Sequence, residues 1–382
     1  MRKIAHVNQI PNITLPPDKL PDDGRFGAGP SKIRTAQIEA LVGVSRTLLG
    51  TSHRQKPVKT QVARLKNGLL ELFQAPVGYE VVLGNGGSTA FWDIATFGLV
   101  RDVAQMLAFG EFGSKFVSSV KAAPFLPSPD VIRSEPGDAP KFDAKAHIDT
   151  YCTPHNETST GVAIKPYRPV GADTRSLLVV DATSAAGGLD VEISEVDAYY
   201  FSPQKCFGSD GGLFVALLSP AAIARAEEIK ATGRYIPPFL DLVSAIENSR
   251  LDQTINTPAI ATLFMMAEQV DWFNSKGGMA WTTARTTESA NILYSWAEAS
   301  PYATPFVTDP AKRSNVVVTI DFAASIDATV IAAILRKNGI VDVEPYRKLG
   351  RNQLRVSVFP AVEPTDIVKL TRSIDAVISA LS

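Results

Sequence analysis

The chain has 382 residues, enough for about two domains at ~100–200 residues each and for a sizeable core. Hydrophobic residues make up 45% and charged residues 20%, which excludes disorder as the global state. Lysine plus arginine (38) balances aspartate plus glutamate (39), so the basic excess of a nucleic-acid binder is missing and any anionic ligand must be held by a few placed cations.

In chain order, residues 1–30 carry Pro11, Pro16, Pro17, Pro21 and Pro30 and predict an extended arm packed over the rest. The arm's opening MRKIAHVNQIPNITLPPDKLPDD lacks an apolar block with a small-residue cleavage site, so no secretion signal is read. A helix is expected over 35–49 with Gly50 as its stop. Val58, Val62, Leu65, Leu69 and Leu72 step by four and three and predict a second helix with one apolar face. Tyr79–Leu83 reads as a strand, followed by the glycine-rich turn Gly84-Asn85-Gly86-Gly87-Ser88 and a helix to about Leu99. Strands are then expected at Val103–Phe109, Ser176–Val180, Ala198–Ser202 and Gly212–Leu218, with a helix at Ser114–Val120. Short apolar strands alternating with helices predict an α/β fold with a mostly parallel, doubly wound sheet.

From about residue 275 the pattern changes to that of a small α/β C-terminal domain. Val316–Ile320, Ile340–Val343 and Leu354–Val358 read as strands, and Asp327–Lys337 as a helix closed by Asn338-Gly339. Ile367, Leu370, Ile374, Val377 and Leu381 mark a final amphipathic helix. The longest stretch free of charge, Gln253–Ala267, has 15 positions and is too short to span a bilayer. Two cysteines, Cys152 and Cys206, and four histidines, His6, His53, His147 and His155, form no ligand cluster. Free thiols, a cytoplasmic location, no metal and no membrane or nucleic-acid partner are the expectations.

Three features could carry chemistry. Gly84-Asn85-Gly86-Gly87-Ser88-Thr89 lies between a strand and a helix, where free N–H groups, a positive dipole and two hydroxyls suit a phosphate. It is neither a Walker loop nor a dinucleotide fingerprint, since no Gly-Lys-Ser/Thr follows and Thr89 stands where a third glycine belongs. It half-matches a nucleophile elbow, but no histidine lies beyond His155 to complete a hydrolase triad. Asp181 ends an apolar strand, where open parallel sheets bind ligands and a carboxylate can pair with a cationic ring nitrogen. Lys205 stands alone among aromatic and small residues in Tyr199–Gly208, a setting that desolvates an amine and makes it nucleophilic. Each has a bland reading as a turn, a cap or a wet surface lysine. Together they are the three anchors of pyridoxal phosphate: its phosphate, its ring nitrogen and its aldehyde.

The segments Arg25–Pro30, Ser52-His53-Arg54, Gly86–Thr89, Tyr151-Cys152 with Asn156-Glu157-Thr158, Val180–Ser184, Ser202–Lys205 and Asn256-Thr257-Pro258 resemble, in order, the phosphoserine aminotransferase family. The resemblance runs from about residue 25 to the C-terminus. It implies a fold-type I, class V pyridoxal-phosphate enzyme whose large domain, 31–275, carries a mostly parallel seven-stranded sheet. Residues 1–30 with 276–382 would form the small domain. Lys205 would bond the cofactor aldehyde and Asp181 the pyridine nitrogen. Ser88, Thr89 and Gln204 would hold the phosphate, Phe112 would stack on the ring, and Thr158 would meet its phenolic oxygen side.

The resemblance also implies an obligatory homodimer with shared active sites, in which Asn256 and Thr257 reach the partner's phosphate site. His53-Arg54 and Arg347 would meet the distal anionic group of the substrate and Arg355 its α-carboxylate. Arg355 has support from spacing, since Leu354, Val356 and Val358 alternate with it and turn it off the core face. Tyr346-Arg347 stands where many relatives have His-Arg, and Arg351 nearby leaves the choice of phosphate-binding arginine open. The implied reaction is ping-pong transfer of an amino group from L-glutamate to 3-phosphohydroxypyruvate, giving phosphoserine and 2-oxoglutarate, in serine biosynthesis. Whether the phosphorylated keto acid of pyridoxine biosynthesis is also taken stays open. The main rival is another class V aminotransferase of the alanine–glyoxylate or serine–pyruvate type. A cysteine desulfurase fits poorly, because Cys206 adjoins Lys205 and is too constrained to be a mobile thiol. A binding protein of this fold would have no need of the lysine.

Overall fold

Apolar strands such as Leu177-Leu178-Val179-Val180 expose hydrophobic side chains on both faces, so a sheet built from them needs a helical layer on each side. The computed structural model has that arrangement; it describes residues 10–381, so the first nine positions of the expected arm, His6 among them, lie outside the described residues. The large sheet takes β1 (Glu80–Gly86), β2 (Ala104–Ala108), β3 (Asp130–Arg133), β4 (Thr150–Pro154), and, beyond a small hairpin of β5 (Asn156–Glu157) and β6 (Val162–Ala163), β7 (Leu177–Asp181), β8 (Ala198–Phe201) and β9 (Gly212–Leu218). Its order is β1-β9-β8-β7-β4-β2-β3. Only β9 runs against its neighbours; β8, β7, β4, β2 and β3 pair in parallel.

The helices α1 (Thr35–Leu48), α2 (Lys56–Leu72), α3 (Ser88–Gly98), α4 (Glu111–Ala122), α5 (Pro220–Ala231), α6 (Leu242–Arg250) and α7 (Ile260–Lys276) cover this sheet. Strand alternation divides the core in two. Leu178, Val180, Tyr199 and Phe201 pack toward Val62, Leu65 and Leu69 of α2 and Val270 of α7. Leu177, Val179, Ala198 and Tyr200 pack toward Phe91 and Ile94 of α3 and Phe116 of α4. The long α8 (Gly278–Ala299) then leads to β10 (Ala303–Pro305), β11 (Val317–Phe322), α9 (Ala328–Lys337), β12 (Gln353–Ser357) and α10 (Pro364–Leu381). The strands β10, β11 and β12 form an antiparallel sheet, and α8, α9 and α10 share its core with Leu15 and Phe26 of the arm.

The arm is pinned by its backbone. Leu15 N donates to Asn338 Oδ1 at 2.9 Å, Asp22 N to Asp366 Oδ1 at 2.7 Å, and Val341 N to the Gly24 carbonyl at 2.8 Å. That last bond corrects one expectation. Val341 meets only Arg25 in an isolated bridge, so residues 340–343 form no strand of the small sheet. The glycine-rich turn is also shorter than expected, because Gly84, Asn85 and Gly86 extend β1 opposite Phe214, Leu213 and Gly212 of β9. Gly84 is required there: a Cβ would stand 2.1 Å from the Phe214 ring. Leu381 ends α10 exposed, apart from the buried row Ile367, Leu370, Ile374 and Val377. The spacing gave no sign of β4, whose Thr150-Tyr151-Cys152-Thr153-Pro154 mixes polar and apolar residues yet is wholly buried.

Candidate active site

The carboxyl ends of β7 and β8 open on a cavity of about 430 Å³. Ser88, Thr89, Phe112, Thr158, Asp181, Gln204 and Lys205, proposed from sequence as cofactor contacts, all line it. Parallel strands deliver ligands to this edge, because successive connections leave from the same side.

Lys205 lies in the turn after β8 and is only 8% exposed. Its Nζ donates to the Ala28 carbonyl, and the Ser31 hydroxyl donates to its own carbonyl at 2.5 Å. The arm therefore forms one wall of the lysine's slot. Gly29, at φ +123°, permits this approach, since a Cβ there would stand 2.5 Å from Nζ. Burial, with the Arg355 guanidinium nearby, pushes the amine's pKa down to about 8 against the opposing pull of Asp181. An amine so placed is an available nucleophile near neutral pH.

Asp181 is buried and fully engaged. Its Oδ2 accepts from Trp92 Nε1 at 2.9 Å, and its Oδ1 accepts from Thr183 N at 3.0 Å and Thr183 Oγ1 at 2.5 Å. At the start of α3, Ser88 N donates to Ser202 Oγ at 2.7 Å, so that helix N–H is taken by the protein. Ser88 Oγ sits 2.8 Å from Ser202 Oγ and 2.6 Å from Thr183 Oγ1. Thr89 is exposed on the rim.

Phe112 stands on the opposite wall, 6.0 Å from Lys205 Nζ to ring centroid. Its position follows from a buried carboxylate: Glu157 accepts from Phe112 N at 3.1 Å, Gly113 N at 3.0 Å and Ser159 Oγ at 2.7 Å. Two buried oxygens, Gln204 Oε1 and Asn156 Oδ1, have no protein partner although both residues line the cavity. Thr158 Oγ1 bonds Ser184 Oγ at 2.8 Å. Above it, the Arg355 Nη1 donates to the Thr158 carbonyl at 3.3 Å while its buried Nε has no partner. A flat aromatic ring with an acidic tail and an aldehyde fits this lining: an aromatic wall, the Ser88 and Thr89 hydroxyls, a carboxylate and a desolvated amine.

The other predicted residues fall elsewhere in the chain. His53, Arg54, Asn256 and Thr257 gather around the end of β1, outside the cavity. His53 Nδ1 lies 3.1 Å from Thr257 Oγ1, Arg54 Nη1 donates to Gln253 Oε1 at 2.6 Å, and Asn85 Nδ2 donates to the Thr257 carbonyl at 2.8 Å. Asn256, Thr257 and Arg54 are exposed. The two arginines of the 346–351 stretch separate clearly. Arg351 Nε bonds Asp321 at 3.0 Å and its guanidinium lies 4.5 Å from the Phe306 ring, whereas Arg347 is exposed and unpaired among the described residues. Arg347 is thus the cation left free. Sequence reasoning missed Trp92 and Lys115, which also line the cavity. The signal for Trp92 was its place four residues after Ser88, on the same helix face.

Both the sequence and the fold have counterparts among known proteins. The class-V aminotransferase family profile matches residues 144–342. A phosphoserine aminotransferase of a Nocardioides species is 60% identical over 370 residues, covering 97% of this chain and 99% of its own. That of Rhodococcus opacus is 58% identical over 367 residues, covering 96% and 98%. Among solved structures, the phosphoserine aminotransferase of Cytophaga hutchinsonii superposes with a TM-score of 0.85 at 22% identity, covering 93% of this chain and 99% of its own. The enzyme of Bacillus circulans subsp. alkalophilus gives 0.82 at 19%, covering 94% and 99%. These two likenesses speak for the fold alone. Among the described residues no helix is long and apolar enough to cross a membrane, and no group of side chains could hold a metal ion.

Proposed function

The chain belongs to the phosphoserine aminotransferase family of the class-V aminotransferases, and on that premise we propose that it uses pyridoxal phosphate to move an amino group from L-glutamate to 3-phosphohydroxypyruvate. The observation that carries this reading is the buried Lys205 amine facing Asp181 across one cavity. When bound, the cofactor supplies an aldehyde that takes the amino group and a cationic ring that withdraws electrons from the substrate's α-carbon.

The residues divide the remaining work. Lys205 Nζ would hold the aldehyde and, as a free amine, would take the proton from the donor's α-carbon as general base. The Ala28 carbonyl, which already accepts from Nζ, holds the freed amine beside the reacting atoms. Asp181 would pair with the ring nitrogen, Phe112 would lie against the ring, and Thr158 would meet its oxygen edge. Ser88, Thr89 and Gln204 would hold the phosphate, an assignment supported by the place of all three on the cavity wall. Arg355 offers its fork to the α-carboxylate, as its unpaired buried Nε suggests.

The distal group of the substrate, a γ-carboxylate or a phosphate in turn, falls to Arg347 together with His53 and Arg54. The last two, with Asn256 and Thr257, lie outside their own cavity, and this placement supports their service to a second protomer in a homodimer. Residues 31–275 then act as the cofactor-binding domain and 1–30 with 276–382 as the small domain that carries Arg347 and Arg355, a division supported by the shared core of the arm and α8–α10. Steady-state rates with phosphorylated and unphosphorylated hydroxypyruvate test the substrate. The phosphorylated form is expected to react far faster, and Arg54→Ala to raise its KM most; equal rates for the two keto acids would sink the assignment.

A further inference from the structure

We propose that Trp92 and Thr183 are positioning residues that fix the Asp181 carboxylate, and that Thr183 couples it to the phosphate-gripping Ser88. The inference rests on the cofactor reading above, and it concerns how the two ends of that site communicate.

Consider the hydrogen-bond donors. A carboxylate offers two oxygens and accepts only, and here both are occupied: Trp92 Nε1 on Oδ2, Thr183 N and Oγ1 on Oδ1. Trp92 is 6% exposed and its indole has one donor, so this contact fixes the plane of the carboxylate. A threonine hydroxyl carries one proton, and two acceptors lie within its reach: Asp181 Oδ1 at 2.5 Å and Ser88 Oγ at 2.6 Å. The charged carboxylate oxygen is the stronger acceptor, and Ser88 competes with it for that proton. Ser88 Oγ in turn lies 2.8 Å from Ser202 Oγ, where either hydroxyl can donate, so the serine's own proton is not tied to Thr183.

A Ser88 hydroxyl that donates to a phosphate becomes a stronger acceptor and draws the Thr183 proton away from Asp181. Occupancy at the phosphate end is thereby felt at the ring-nitrogen end, through three side chains that touch in sequence. Removing Ser88 leaves the Thr183 proton to Asp181 alone, even for a ligand that has no phosphate. If the residues acted locally, it would not.

The test is binding to the cofactor-free full-length protein, read by absorbance. Pyridoxal phosphate, pyridoxal without its phosphate, and the deaza analogue of pyridoxal phosphate that lacks the ring nitrogen are the three probes. Trp92→Phe is expected to weaken pyridoxal phosphate by about tenfold or more, as loss of a charge-assisted hydrogen bond does, and to leave the deaza analogue within about twofold. Equal losses for both would mean that the variant merely damages the cavity, and would overturn the positioning role. Ser88→Ala is expected to change pyridoxal affinity severalfold, and to have no such effect once Thr183→Val is present. Unchanged pyridoxal affinity in Ser88→Ala, or the same change with and without Thr183→Val, would overturn the coupling. Failure of the unaltered protein to bind pyridoxal phosphate would overturn the cofactor reading itself, a result distinct from either.

Discussion

Lys205 is the residue on which the chemistry turns, and its environment sets a pH dependence. Burial and Arg355 lower its pKa from the ordinary lysine value to about 8. Below that pH the folded protein holds an ammonium that cannot attack an aldehyde; above it the amine is free. The rate at which cofactor-free protein bonds pyridoxal phosphate should therefore rise through about pH 8. Arg355→Gln removes a positive charge that disfavours the ammonium, so the midpoint should move up. A midpoint that stays in place, followed by stopped-flow absorbance, would mean that the guanidinium does not act on the amine. Cys206 adjoins Lys205 but is buried, and burial raises its thiol well above the ordinary range, which removes it as a rival nucleophile.

The start of α4 depends on a side chain from a different element. Glu157 of β5 accepts from Phe112 N, Gly113 N and Ser159 N and Oγ while fully buried. Glu157→Gln would turn an amide donor toward these donors, leaving at least one unsatisfied. A loss of about 1–3 kcal/mol is expected in chemical denaturation, together with weaker cofactor binding as Phe112 shifts; an unchanged midpoint would remove Glu157 from this role. The same elements show what the sequence could disclose. The α2 face was legible because Val58, Val62, Leu65, Leu69 and Leu72 repeat at helical spacing and are all buried, the last four in one core. Likewise Leu177–Asp181, buried on both sides, reads as one apolar run. By contrast, β4 was illegible because its polar Thr150 and Thr153 are buried by neighbours that no local pattern reveals. The extension of β1 into Gly84–Gly86 depends on pairing with β9, more than a hundred residues away. Trp92 was overlooked because its partner, Asp181, meets it only in the folded sheet.

On the scale of the molecule, the site draws on the arm, the large sheet and the C-terminal sheet at once. Ala28 and Gly29 touch Lys205, and Arg355 of β12 reaches Thr158. The residues His53, Arg54, Asn256 and Thr257, outside the cavity of their own protomer, give the proposed homodimer a direct test by complementation. Lys205→Ala and Asn256→Ala with Thr257→Ala should each be inactive alone. Unfolded and refolded together, they should regain roughly a quarter of the wild-type activity, because a mixed dimer contains one intact site. Absence of recovery, with mixed dimers verified by mass, would place those residues within their own site. The central claim is that one desolvated lysine holds an aldehyde cofactor that accepts the amino group of glutamate. It is met most directly by an absorbance spectrum of the purified protein before and after L-glutamate. The protein should be yellow, lose that colour with glutamate, and recover it with 3-phosphohydroxypyruvate. A spectrum that glutamate leaves unchanged would contradict the account.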